Sequence, residues 1–432
     1  MVDKLNFIKT RINEATNNFM TLLLNLKNRS TILFSALNNT NYRRYWFATF
    51  FSSMSMGVNL ITQGWLVLEM TDDPLWVGLL AGITGVAQIS FGTFGGVIVD
   101  RWNKRVTITI LQFCTGLLGL ILTLLLIYNN LQLWHLAAAA MFNGILQSIR
   151  MPTGNSIIFS IVGSKSILNA LASQLIGFNA SRMIGSILAG TVISVFGVEY
   201  AYLLVMISSW IGAILFLFLG GNYESIISQR SFWKSLREGI KYSWNDKSIL
   251  LLLLISTLIE FFGFSFFIML PIVAKEILGL NAQGLGYLSA ANALGSTIST
   301  IFVASLGDFK YKPHLLLFSA ICVGVSLVVF AFTDFIILSF ILSFIIGAFL
   351  MSYDASMGSL LQLLCTNEIR GRVLGLYGLT FGFTPLGGFF LGTISSLLSP
   401  AMALGISGVS IMMTITFVQS KIRKNSRFYI ES

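Results

Sequence analysis

Three charged residues lie deep in stretches that are otherwise apolar: Glu260, Arg182 and Arg150. Glu260 sits among Leu, Ile and Phe, eleven residues past Ile249, near the middle of a run long enough to cross a bilayer. An ionisable group at that depth is costly and marks a functional site by default. A carboxylic acid there can take up and release a proton, so proton carriage is the favoured reading. A fixed ion pair and a substrate contact are the alternatives. Arg182, near Asn179, Ser181 and Gly185, has three options: pairing with Glu260, binding an anionic substrate, or snorkelling. Arg150 and Asp354 stand 204 positions apart, at comparable depths in their runs. Opposite charges at matched depth suggest a bridge between two halves of the molecule, with lipid headgroups as the other destination for Arg150.

Other chemistries are not supported. No nucleophile, base and oxyanion donors converge at one membrane face, as an enzyme would need. No G-x-x-x-x-G-K-[ST] loop is present, so a nucleotide-driven pump is excluded. Cys114, Cys322 and Cys365 form no spaced set, and His135 and His314 lie far apart. Neither a disulfide framework, a metal centre nor a cofactor is implied. Instead, polar residues recur at helical spacing in four stretches: Ser52, Ser55, Asn59 and Gln63; Asn143, Gln147 and Arg150; Ser256 and Glu260; and Ser339, Ser343, Gly347 and Asp354. A polar stripe facing lipid is costly, so these faces are expected to meet protein or water. For each single Ser, Asn or Gln, hydrogen bonding between helices is the better expectation.

The elements that hold these residues follow from composition. The chain has 432 residues, 55% hydrophobic and 10% charged, where soluble domains carry about 25% charged residues. The net charge of +10 does not indicate nucleic acid, because the bases cluster at the ends of apolar runs. Residues 1–42 repeat apolar side chains every three or four positions between bases, which reads as an amphipathic helix lying on the membrane surface. Twelve spans follow, at about 45–68, 75–99, 106–128, 132–157, 167–195, 198–219, 249–273, 284–306, 314–333, 335–358, 370–396 and 400–419. Residues 222–247 form a basic linker with an amphipathic helix around Phe232, Leu236 and Ile240, and 420–432 form a basic tail. This gives an all-α polytopic protein, with bundles of six spans at 43–221 and 248–419. Twelve spans place both termini on one side, where 24 of the 27 Lys and Arg then fall. That side is cytoplasmic by the positive-inside rule.

One corner carries dense charge: Gly96, Asp100, Arg101, Asn103, Lys104 and Arg105, in the pattern G-x-x-x-D-R-x-x-K-R between spans 2 and 3. The halves also echo one another. Gly78 and Asp100 match Gly286 and Asp308 at an offset of 208, and Gly185 and Gly190 match Gly387 and Gly392 at an offset of 202. The motif, the repeat, the twelve spans and the basic linker together resemble the major facilitator superfamily. That family usually has Gly where this chain has Asn103, and Asn tolerates a left-handed turn there. Arg372-Val373-Leu374-Gly375, Pro385-Leu386-Gly387-Gly388 and Ser235-Leu236-Arg237-Glu238-Gly239 resemble the branch that includes bacterial enterobactin exporters and related drug and lipid carriers.

The resemblance implies two pseudo-symmetric six-helix bundles in the inner membrane and export of a small amphipathic molecule, usually driven by protons. A lipid or lysophospholipid carrier, or a transport-inactive sensor or scaffold, is the alternative. It implies that Asp100 faces the start of span 11 across the bundles. There the helix N-terminus and the bases Arg370 and Arg372 would hold the cytoplasmic side shut. Asp308 would act similarly toward span 5. Spans 1, 4, 7 and 10 would line the cavity. In span 5, Ser186 stands where antiporters of the family usually have Pro. The partners implied are the lipid bilayer, a small-molecule substrate and protons, with one chain sufficient for function.

Overall fold

The structure is a computed structural model that describes residues 35–221, 223, 232–307 and 311–424. The side chains of 93–101, 164, 165, 168, 232–236, 367, 368, 421, 423 and 424 lie outside that description. Most of the expected surface helix at 1–42, part of the linker, the end of the tail, Asp308, and the side chains of Asp100 and Arg101 therefore fall outside the described residues, as do the surroundings of Gly96.

Every regular element among the described residues is helical. We label them α1 (Thr40–Thr71), α2 (Pro74–Arg101), α3 (Lys104–Ile127), α4 (133–162), α5 (164–195) and α6 (Val198–Leu217). The linker helix Phe232–Asn245 precedes α7 (Lys247–Ile277), α8 (Ala282–Leu306), α9 (Lys312–Ala331), α10 (Ile336–Leu364), α11 (Ile369–Leu397) and α12 (Pro400–Lys424). Ten described helical segments are long and apolar enough to cross a bilayer. α1 and α4 have the length but not the apolarity, because Asn59 and Gln63 interrupt one and Asn143, Gln147 and Arg150 the other.

Local chemistry sets the ends. Asn39 caps α1 by accepting from the backbone N–H groups of Asn41 and Tyr42, and Asp72 closes it in a left-handed conformation, φ 52°. Gly163 turns the chain sharply between α4 and α5 at φ 66°, a conformation that suits glycine. Asn103 corrects an expectation. Its φ is −60°, extended rather than left-handed, and its side chain caps α3 by accepting from Arg105 and Val106 N–H. Asn works there as a cap, not as a substitute for glycine.

α1 to α6 pack on one another, and α7 to α12 do the same. The two bundles meet along α5 with α8 and α2 with α11. We call the face carrying the start of α1, the linker helix and the end of α12 the terminal face, and its opposite the distal face. The bundle interface is tight toward the distal face. A Cβ on Gly190 would stand 2.5 Å from the Ala282 carbonyl oxygen and 2.9 Å from Gly286 Cα. A Cβ on Gly392 would stand 2.8 Å from Gly78 Cα. These are the repeat-related glycines of the sequence: each half supplies the partner of the other's copy. Ser186 adds a hydroxyl contact to Ser289 at 3.0 Å.

The interface loosens down α2 and α11. A Cβ on Gly85 would come within 2.8 Å of Pro385, one on Gly92 within 3.5 Å of Leu379, and ones on Gly378, Gly375 and Gly371 would meet nothing within 4 Å. Among the described side chains, close α2–α11 contacts run from Gly78–Gly392 as far as Ile89–Gly382, where a Cβ on Gly382 would lie 2.5 Å from Ile89 Cγ1, and thin out beyond Gly92.

Candidate functional site

Glu260 is buried, at 3% exposure, where α7 departs from regular α geometry. Residues Glu260–Phe264 form a π turn, and Val273–Ile277 a second one beyond Pro271. Such turns recur at functional sites because they re-aim side chains and free carbonyls. Two features of α11 fit the first turn. Ser265 Oγ on α7 donates among the carbonyl oxygens of Phe261 at 2.6 Å and Thr384 at 2.8 Å. Gly387 lets the helices close, since a Cβ there would lie 1.8 Å from the Phe261 carbonyl oxygen. Glu260 itself accepts from Thr384 Oγ1 at 2.5 Å. Ser256, one turn earlier, meets Thr380 Oγ1 at 2.9 Å.

Asp354 on α10 accepts from the Tyr377 hydroxyl of α11. Tyr353 is buried beside it with an unpartnered hydroxyl. Two acids therefore share the second bundle's interior, each with a hydroxyl partner and, among the described residues, neither in an ion pair. Thr384, Tyr377 and Tyr353 escaped the sequence reading, because nothing in their spacing shows which helix they face.

Buried Arg182 and half-buried Arg150 belong to the first bundle. Arg182 on α5 makes no ion pair with Glu260; its guanidinium lies over the Phe267 ring of α7, 4.4 Å from the centroid. Arg150 Nη2 donates to Thr115 Oγ1 of α3 at 2.7 Å. The expected Arg150–Asp354 bridge is not formed in this conformation; each turns to a partner within its own bundle.

The polar stripes divide. On α1, Ser52 donates to Gln112 at 2.7 Å and Ser55 meets Ser209 at 2.6 Å, both within the first bundle. On α10, Ser343 donates to the Leu288 carbonyl at 3.1 Å and Gly347 presses on Asn292, so this stripe packs on α8. Ser339 bonds its own helix at Phe335. All but Ser339 join neighbouring helices. Asn59 and Gln63 remain half-buried and bond each other at 3.4 Å, Gln147 reaches Met56 at 3.5 Å, and Asn143 is half-buried.

At the terminal face, Lys104 N–H bonds the Tyr223 carbonyl at 3.2 Å and Arg105 Nη1 bonds that of Leu219 at 2.8 Å. Both clip the end of α6 inside the first bundle. Arg370 Nε donates to the Gln362 carbonyl at 3.2 Å. Arg372 pairs with Glu238 of the linker helix at 3.0 Å. The linker helix forms over its described length, with Gly239 against Arg372, while Ile240, expected on its apolar face, is exposed. At the distal face, Lys275 Nζ bonds Asp72 at 2.7 Å and the Leu68 carbonyl at 2.9 Å. The neighbouring ammonium holds the Asp72 carboxyl below its ordinary range.

Residues 31–428 match the family of transmembrane secretion effectors within the major facilitator superfamily. The chain belongs to that family. Among curated proteins, the transporter is 22% identical to a staphyloferrin A transporter of Staphylococcus aureus, over 88% of this chain and 97% of that one. It is 21% identical to the enterobactin exporter EntS of Escherichia coli, over 86% and 89%. These relatives are transporters rather than enzymes. Among solved structures, the nucleoside transporter NupG superposes with a TM-score of 0.69 at 14% identity, covering 89% of this chain and all of that one. A bacterial homologue of the human lysosomal transporter Spinster, in an inward-facing and occupied conformation, gives 0.70 at 12% identity, covering 91% and 99%. Both similarities establish the fold: two helical bundles of a multi-pass membrane transporter.

Proposed function

We propose that this transporter is a secondary active exporter of a small amphipathic compound, siderophore- or drug-like, working by alternating access as one chain in the inner membrane. In this reading the terminal face is cytoplasmic, with both ends of the chain there, and the conformation is inward-facing. The observation that carries it is the uneven interface: glycines interlock distally, while among the described side chains the same helices make few close contacts beyond Gly92. A static scaffold has no need of so uneven an interface. Export direction rests on the enterobactin exporter among the relatives, and substrate type on the staphyloferrin A transporter as well. Glu260 carries the coupling proton, because it is a buried acid whose one hydrogen-bonding partner is a hydroxyl. Asp100 closes the cytoplasmic side against the start of α11 in the opposite state, and Asp308 acts likewise toward α5. Asn59, Gln63, Asn143 and Gln147 line the path.

Distance measurements on reconstituted protein test this reading. One cysteine pair spans α5 and α8 at the distal face, another α2 and α11 at the terminal face, in a background lacking Cys114, Cys322 and Cys365. During proton-driven efflux of a dye or siderophore, one distance is expected to grow as the other shrinks. Distances that never change, or flux of lysophospholipid alone without a proton gradient, would overturn it.

A further inference from the structure

One face of α5 carries Asn179, Arg182, Ser186 and Gly190, three or four residues apart. Its distal part is used up by the contacts to Ser289 and Gly286. The next two residues toward the terminal face are buried but uncommitted. Asn179 is fully buried and neither atom of its amide has a hydrogen-bond partner. Arg182 is 8% exposed, its Nη2 is unpartnered, and it pairs with no acid. Its backbone is pinned: Gly57 of α1 lies so near that a Cβ there would come within 2.9 Å of the Arg182 carbonyl oxygen. The stem is fixed while the head group keeps free donors.

Buried polar groups are almost always paired, and a buried unpaired charge is expensive. The Phe267 ring gives the guanidinium partial compensation through its π face. It leaves the in-plane N–H donors unused. A planar fork of donors beside an amide matches a carboxylate, which accepts two parallel bonds from guanidinium. The ring that covers the head group offers an apolar surface for the rest of such a molecule. Phe267 belongs to the opposite bundle, so a ligand held here would touch both.

We infer that Arg182 and Asn179 form the acceptor for a carboxylate on the transported compound; this rests on the exporter reading above. The site selects an anion attached to an apolar or aromatic body, against neutral and cationic molecules of the same shape. Occupancy of a site shared by two bundles also ties binding to their relative position.

Three isosteres differing in charge test the assignment: 2-naphthoate, 2-naphthamide and 2-naphthylmethylammonium. Each is titrated against the purified full-length protein in detergent, following thermal unfolding. A fourth titration uses lysophosphatidylglycerol. Naphthoate alone is expected to raise the unfolding temperature. Arg182→Gln should weaken it about tenfold or more, the effect of losing a charge-assisted bond. Arg182→Lys should fall between, and Asn179→Ala should weaken it less. If Arg182→Gln fails to fold, Arg182→Lys and Asn179→Ala carry the test. The assignment is overturned if naphthoate does not stabilise the wild type, or if naphthamide or the ammonium stabilises it as well. It is also overturned if lysophosphatidylglycerol replaces naphthoate, or if folded variants bind naphthoate unchanged. Bundle motion measured on the same preparations separates the two readings. Motion without naphthoate binding removes the carboxylate site and leaves the exporter standing.

Discussion

Lys275 Nζ lies 2.7 Å from Asp72 Oδ1 and 2.9 Å from the Leu68 carbonyl oxygen, so one ammonium ties α7 to the end of α1 across the bundles. Asp72 is well exposed, with 89% of its side chain open, and exposed ion pairs are individually weak. The carbonyl contact adds a second anchor, and the pair acts where the distal side must part. Lys275→Met is expected to shift the population toward distal opening by about threefold. Exchanging the charges, Asp72→Lys with Lys275→Asp, should restore part of it. The distal label pair reads both.

The same pair has a defined acid response. The Lys275 ammonium holds Asp72 below its ordinary value, so its contribution is present above about pH 4 and is lost as pH falls through the depressed value. Distal opening should rise when the distal face is acidified, and Asp72→Asn should abolish that rise. A distal distance that is flat with pH in the wild type contradicts the assignment.

Glu260→Gln keeps the shape of the side chain and removes its proton. Thr384 can still donate to the amide oxygen, so the variant is expected to fold and to bind substrate. Flux should lose its dependence on the proton gradient while exchange down a substrate gradient persists. Gradient-dependent flux at the wild-type level would exclude Glu260 as the carrier.

Arg372 holds the linker's Glu238 at 3.0 Å in this conformation. In the proposed closed state the acid facing the start of α11 is Asp100. The two acids then compete for one cation. Glu238→Gln should favour terminal closure, and Asp100→Asn should oppose it. Opposite signs at the terminal label pair support this exchange, and equal signs refute it.

Gly387 is the most demanding position in the second bundle. A Cβ there would sit 1.8 Å from the Phe261 carbonyl oxygen and 2.2 Å from Ser265 Oγ. Backbone cannot yield as a flexible side chain does, so Gly387→Ala should cost about 1–3 kcal/mol or more. It should also displace Glu260 from Thr384. Thermal unfolding and the gradient dependence of flux report the two effects.

Much of this was legible in the residues. A bilayer forces every backbone group into helices, so apolar runs, their charged ends and the misfit Glu260 could be read directly. The glycines at offsets of 202 and 208 also announced the repeat. That these glycines touch each other was not legible, because contact depends on how two bundles meet. The same holds for Thr384 under Glu260, which needs a π turn in one helix and a glycine in another. For the serines of α1 and α10, spacing showed a shared polar face and favoured bonds between helices, but it did not show which neighbouring helix each would meet. Arg150 and Asp354 match in depth, yet depth alone does not bring opposed walls together.

The paired glycines have a mechanical consequence. Because each half contributes the same two positions, the junctions at Gly190–Gly286 and Gly78–Gly392 are copies under the molecular pseudo-axis. A rocking motion strains them equally, like twin knuckles on one door. A methyl group added at any of the four acts as the same wedge, and two wedges placed symmetrically should prop the door further than two placed on one knuckle.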